Sequence, residues 1–143
     1  MLIGEFKHNL DQKGRVSIPA KFRQKFAEGL ILTRGIDQCV FGFPKPEWEK
    51  VVNKITNLPL SQANARAFAR LILSGAFEAE IDNQGRVLIP EVLRKYAHLE
   101  KKVVIVGMYN RVEIWDEKKW EEYKKQSEEN SQEIAERLSD LGI

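Results

Sequence analysis

The sequence predicts an α+β fold made of two tandem copies of one small, strand-rich unit, and three observations predict it. The stretch DQKGRVSIP at 11–19 has a near-copy, DNQGRVLIP, at 82–90, with Asp, Gly, Arg, Val, Ile and Pro at identical spacing. The correspondence extends outward: Phe6, Leu10, Val16, Ile18, Phe22 and Arg23 stand 71 positions before Phe77, Ile81, Val87, Ile89, Leu93 and Arg94. After a one-residue slip, Gly35, Val40, Phe43 and Trp48 match Gly107, Val112, Trp115 and Trp120. Finally, apolar and polar residues alternate at period two around both copies, and segments of helical period follow them.

In FEAEIDNQGRVLIP, Phe77, Ala79 and Ile81 alternate with Glu78 and Glu80, and Val87 and Ile89 with Arg86 and Leu88. Two such runs around a short polar link read as a β-hairpin. The link explains the shared Asp and Gly. An Asp opening a tight turn accepts backbone N–H bonds two residues on, and a Gly closing it takes the positive φ of a type I turn with a bulge. Asp11 with Gly14, and Asp82 with Gly85, are placed for those tasks. Pro19 and Pro90 then stop the strand and suit the first position of a helix, where a missing N–H costs nothing. Short helices AKFRQKFA and EVLRKYA follow, with Phe22 and Phe26 four apart and Leu93 and Tyr96 three apart. Each unit ends in two more strands, LILTRG and QCVFGF in the first, VVIVG and RVEIW in the second.

Between the units, PKPEWEKVVNKIT and SQANARAFARLILSG read as two helices separated at Asn57-Leu58-Pro59. From about residue 117 the tail reads as one long helix with few apolar positions, fraying beyond about 125. The expected organisation is a first repeat over 1–48, a helical connector over 49–76, a second repeat over 77–120 and a helical tail over 121–143.

At 143 residues and 43% hydrophobic content the chain can bury one moderate core, and two repeats sharing it is the natural packing. Apolar runs such as VVIVGMY are too short to cross a bilayer and the N-terminus lacks a signal peptide's apolar segment, so a cytoplasmic location is expected. Cys39 is the one cysteine, which excludes an intrachain disulfide and a cysteine zinc site; it reads as a small buried apolar residue. The net charge of +2 conceals a gradient. Residues 1–26 carry Lys7, Lys13, Arg15, Lys21, Arg23 and Lys25 against Glu5 and Asp11, whereas residues 116–143 carry nine carboxylates against five basic groups. That asymmetry points to a polyanionic partner for the first unit.

Paired D-x-x-x-R-V-x-I-P segments in a chain opening GEFKHNLDQKGRVSIPAKFR resemble the MraZ family of bacteria and, more widely, the SpoVT/AbrB superfamily. The resemblance spans nearly the whole chain and weakens only after about residue 125. It implies an AbrB-like, swapped-hairpin β-barrel assembled within one chain, with peripheral short helices and a C-terminal helix. It also implies a ring-shaped homo-oligomer acting on double-stranded DNA in the nucleoid. The expected role is a transcriptional regulator, read as a repressor, of the division and cell wall operon that includes its own gene, bound at repeated promoter boxes. No cofactor, metal, membrane or small-molecule substrate is expected. The motif positions carry over as Asp11, Gly14 and Arg15, and as Asp82, Gly85 and Arg86. The second copy has Asn83 and Gln84 where the first has Gln12 and Lys13, so a weaker DNA contact is expected there.

An Arg following the turn Gly leaves the loop where it can project outward while Val16 or Val87 points inward. Guanidinium grips phosphate in a bidentate way or pairs with guanine O6 and N7. Arg15 and Arg86 are therefore the expected DNA contacts, with Lys13 at the turn tip next and Lys7 and Arg23 as supporting phosphate contacts. The competing structural reading has each arginine bridging to its own Asp11 or Asp82 and bracing the turn. Catalysis is not expected: the only histidines are His8 and His98, His8 is placed on the outward alternation, and no nucleophile, phosphate loop or ligand cluster is present. Rival readings are an antitoxin-like or scaffold module that binds protein, and a purely structural ring.

Overall fold

The computed structural model describes all 143 residues. Its strands are β1 (Leu2–Asn9), β2 (Arg15–Ser17), β3 (Leu30–Arg34), β4 (Val40–Pro44), β5 (Phe77–Ala79), β6 (Arg86–Leu88), β7 (Lys102–Tyr109) and β8 (Val112–Asp116). The helices are α1 (Lys45–Thr56), α2 (Ala63–Ser74), α3 (Glu91–Tyr96), α4 (Glu117–Glu129) and α5 (Ser131–Arg137), with 3-10 segments at Ala20–Phe26 and Ser139–Leu141. Helices α1 and α4 start a few residues ahead of the boundaries drawn from sequence at 48 and 120. Pro19 and Pro90 occupy the cap just before their helices, one place earlier than expected, and their carbonyls accept from Phe22 and Leu93 at 2.8 and 3.0 Å.

Six strands form an antiparallel sheet in the order β1-β7-β8-β4-β3-β5, and β2 pairs with β6 in a separate two-stranded ribbon. Exchanging the repeats turns β1 into β5, β7 into β3 and β8 into β4, so the strand order reads the same reversed. The molecule thus has an internal pseudo-two-fold axis, which passes between Val16 and Val87 at the centre of the ribbon.

This arrangement corrects the local hairpin reading. The strands flanking each loop are not partners of each other: β1 pairs with β7 and β2 with β6, both from the other repeat. Only the loop closes on itself, through Asp11 N–H to the Arg15 carbonyl at 2.9 Å and its counterpart Asp82 N–H to the Arg86 carbonyl at 2.8 Å. A period-two pattern fixes which face a residue takes but not which strand it pairs with. The swapped-hairpin arrangement implied by the family resemblance is the one found.

One face of the sheet and the inner face of the ribbon enclose a core drawn from both repeats, in which Val16, Ile18 and Phe22 meet Val87, Ile89 and Leu93, all at most 1% exposed. Side chains of this size each contribute about 1.5–3 kcal/mol on burial. On the other face, Phe41, Phe43, Val104, Val106 and Trp115 pack under Trp48 and Val51 of α1 and Trp120 of α4. Glu113 is buried there, held by Arg111 Nη2 at 2.8 Å and Trp115 Nε1 at 3.0 Å, and this pairing offsets its desolvation. Cys39 is buried, and burial pushes its thiol pKa far up.

Two further expectations change. The tail is two helices, broken at Asn130 (φ −108°, ψ 17°), not one. Asp116 caps α4 by accepting the Lys119 N–H at 3.1 Å. His8 shares the inward side of β1 with Leu2, Phe6 and Leu10, is half-buried, and has its pKa lowered by burial, contrary to the outward placement expected.

Candidate nucleic-acid interface

The two DxxGR loops have nearly superimposable bonding. Asp11 Oδ1 accepts the N–H groups of Lys13 and Arg15, both at 2.9 Å, and Asp82 Oδ1 accepts those of Gln84 and Arg86, both at 2.9 Å. Gly14 N–H and Gly85 N–H then donate to the carbonyls of Asp11 and Asp82 at 3.0 and 2.9 Å. Gly14 and Gly85 sit at φ +86° and +79°, where any side chain would be strained. The backbone N–H of Arg15 is the largest cause that holds the Asp11 carboxyl below its ordinary pKa, followed by that of Lys13 and then the guanidinium groups of Arg15 and Arg86. Asp82 is lowered in the same way, led by the N–H of Arg86.

Beyond the loops the chains enter the ribbon, with Arg15 opposite Leu88, Val16 opposite Val87 and Ser17 opposite Arg86. Both valines are 1% exposed and face the core, so Arg15 and Arg86 must share the outer face. Their side chains are 28% and 30% exposed. Arg15 Nε lies 4.0 Å from Asp11 Oδ2, beyond hydrogen-bonding reach. Arg86 Nε donates to Asp82 Oδ2 at 3.1 Å, and its Nη1 lies 3.8 Å from Asp11 Oδ2. Asp11 therefore faces both arginines across the repeat boundary. The brace between turn and arginine is present as a hydrogen bond in the second loop and as a looser ion pair in the first.

Lys13 is exposed at the tip of the first loop. Arg23, though exposed, spends its Nε on the Ile18 carbonyl at 2.9 Å and lays its guanidinium over Gly85 of the opposite repeat. Arg94, its counterpart, donates Nε to the Ile89 carbonyl at 2.9 Å and covers Gly14. Sequence reasoning missed Arg94 as part of this face, although the repeat alignment of Arg23 with Arg94 held the signal. Lys7 is not brought to the ribbon. It shares the side of β1 with Glu5, which bridges to Lys124 of α4 at 2.8 Å, and so faces the helix layer. Arg15 and Arg86 thus stand beside the Asp11 and Asp82 carboxylates on the ribbon's outer face, with Lys13 at one loop tip and Arg23 and Arg94 laid over the two turn glycines. Such a face is chemically suited to phosphate oxygens and to the acceptor edge of guanine.

No group of three or more His, Cys, Asp or Glu side chains is arranged to hold a metal ion, and no helix is long and apolar enough to cross a membrane.

Comparison with known proteins fits this repeat architecture. The family model for the MraZ protein, described as antitoxin-like, matches twice, at residues 1–71 and 72–141. A protein of Halothermothrix orenii named Transcriptional regulator MraZ is 50% identical over 143 residues, covering all of both chains. A namesake from Natranaerobius thermophilus is likewise 50% identical over the full length of both. One from Pelotomaculum thermopropionicum is 49% identical, covering all of this chain and 99% of its own.

Proposed function

The chain belongs to the MraZ family, and from that premise we propose that it is a transcriptional regulator that binds double-stranded DNA through the outer face of the β2/β6 ribbon. The supporting observation is the meeting of Arg15 and Arg86, from different repeats, on that one face. A two-stranded ribbon fits the major groove of B-form DNA, where arginine is the commonest reader of guanine. In this reading Arg15 and Arg86 contact the DNA, Lys13 takes a phosphate at the first loop's tip, and Arg23 lends its terminal nitrogens to the same face. Asp11, Gly14, Asp82 and Gly85 shape the loops that present them. The first repeat is the stronger partner, because its arginine is less engaged by carboxylate and its loop carries the lysine.

One ribbon offers few contacts, so affinity comes from several protomers meeting spaced promoter boxes at once. A ring-shaped homo-oligomer would supply that, since linked sites raise avidity by about 10²-fold or more. The target proposed is the promoter of the division and cell wall operon, including the chain's own gene, which the regulator represses in the cytoplasm at the nucleoid. With about two phosphates neutralised per protomer and four boxes engaged, the logarithm of affinity should fall against log salt with slope near about −7.

The test is a gel shift on the region upstream of the gene, comparing wild type with the Arg15→Ala, Arg86→Ala double variant. Retardation lost in the variant supports the reading; equal retardation by a folded variant refutes it, as would a salt slope near about −2 for the multivalent part. The antitoxin-like description of the family favours one second reading, docking on another protein, supported by exposed Ile134, Leu138 and Leu141 near the C-terminus. A chain that retards no DNA while capturing a protein partner through that end would replace the first reading with the second.

A further inference from the structure

We propose that Arg94 and Arg23 are positioning residues, each holding the opposite repeat's loop in the shape that presents its DNA-facing arginine. This rests on the DNA-binding reading for its consequence, though not for its geometry. The planar head of Arg94 lies flat on the first loop: a Cβ at Gly14 would fall 2.7 Å from both its Cζ and Nε. A Cβ at Gly85 would fall still closer to the head of Arg23. Both turn glycines are therefore required twice, once for their positive φ and once to leave room for a guanidinium from the other repeat.

The struts are anchored where the repeats cross. Arg94 donates Nε to the Ile89 carbonyl, and the Ile89 N–H donates to the Gly14 carbonyl at 2.9 Å. In mirror fashion, Arg23 donates Nε to the Ile18 carbonyl, and the Ile18 N–H donates to the Gly85 carbonyl at 2.8 Å. Loop 11–14 thus sits on a platform made by residues 89–94, and loop 82–85 on one made by residues 18–23. Lysine cannot replace arginine here, since an ammonium has neither a flat face to lay on the turn nor a rigid donor fork to hold it against the carbonyl. The consequence is crossed control: a change at Arg94, in the second repeat, disturbs Arg15, in the first.

Amide hydrogen exchange in full-length Arg94→Lys and Arg23→Lys reads the geometry without DNA. Arg94→Lys should speed exchange of the Lys13, Gly14 and Arg15 amides roughly tenfold while leaving Gln84, Gly85 and Arg86 at wild-type rates. Arg23→Lys should do the converse. Equal acceleration in both loops, or in neither, overturns the proposal whether or not the wild type binds DNA. On an upstream duplex that the wild type retards, Arg94→Lys should weaken binding roughly tenfold in the wild-type and Arg86→Ala backgrounds, and by less than about twofold once Arg15 is already alanine. Undiminished binding by Arg94→Lys, or an equal loss on all three backgrounds, also overturns it.

Discussion

In the first repeat Arg15 stands 4.0 Å from its own Asp11, whereas in the second Arg86 donates to its own Asp82 at 3.1 Å and reaches toward Asp11 as well. The backbone of the two loops is bonded alike, so this difference lies in side chains alone. Around it other differences accumulate on the same side. The first loop has Lys13 where the second has Gln84, and β1 zips to β7 through eight residue pairs where β5 meets β3 through three. Phe6 packs edge-on against Phe22 at 5.2 Å, while its equivalent Phe77 is exposed at the sheet edge. The frame is symmetric, and the first half has the freer cationic loop and the better-secured edge. A short outermost strand such as β5 is also a common way to discourage edge-to-edge aggregation.

The largest test of this contrast is on DNA binding. Arg15→Ala should weaken binding to the upstream duplex by about 10²-fold and Arg86→Ala by about tenfold, the losses being amplified because each is repeated in every protomer. Equal losses in gel-shift titrations would erase the ranking of the two loops. Next comes stability: Phe6→Ala should lower the unfolding free energy by about 2 kcal/mol and Phe77→Ala by under about 1 kcal/mol, measured by urea denaturation.

The acid limb should separate the loops less. Asp11 and Asp82 have folded-state pKa values below their ordinary ones, so the stability they contribute is complete above the unfolded value of about 3.9 and is lost as pH falls through the lower folded values. Asp11→Asn and Asp82→Asn should each flatten the decline in urea midpoint from about pH 5 downward. A variant with the wild-type decline would show that its carboxylate is not braced. His8 adds a term of the same sign at higher pH: its lowered pKa means stability is full above about 6.5 and declines as pH falls toward the folded value. Exchanging loop tips isolates the charge difference between the two loops. Lys13→Gln should make the salt slope shallower by about 0.9 for each box engaged, and Gln84→Lys should restore it in the same chain.

Much of this frame was legible beforehand. The Asp and Gly of each loop, the strands, the helices α1 to α3 and the separation at Asn57-Leu58-Pro59 follow from turn chemistry and periodicity, which are local. Pairing is not local. Val16 and Val87 read equally well as members of separate hairpins, and only the family resemblance pointed to their meeting. His8 has the parity of Phe6 and Leu10, which gives the inward side, so the alternation decides its face although its ring is polar. The break at Asn130 lies in a segment where few apolar contacts constrain the helix, so the pattern there carries little information. Arg94 escaped because a side chain that acts on another repeat has no signature in its own neighbourhood.

The interlocked ribbon has a consequence for partial chains. A gene product ending at Ser74 would keep β2 without its only ladder partner and β1 without β7, leaving Val16 and Ile18 in water. Such a half would survive by embracing a twin, each lending the strand the other lacks. The covalent join between the halves therefore replaces a bimolecular encounter with a tethered one, and it lets the two loops diverge in a way that identical partners never could.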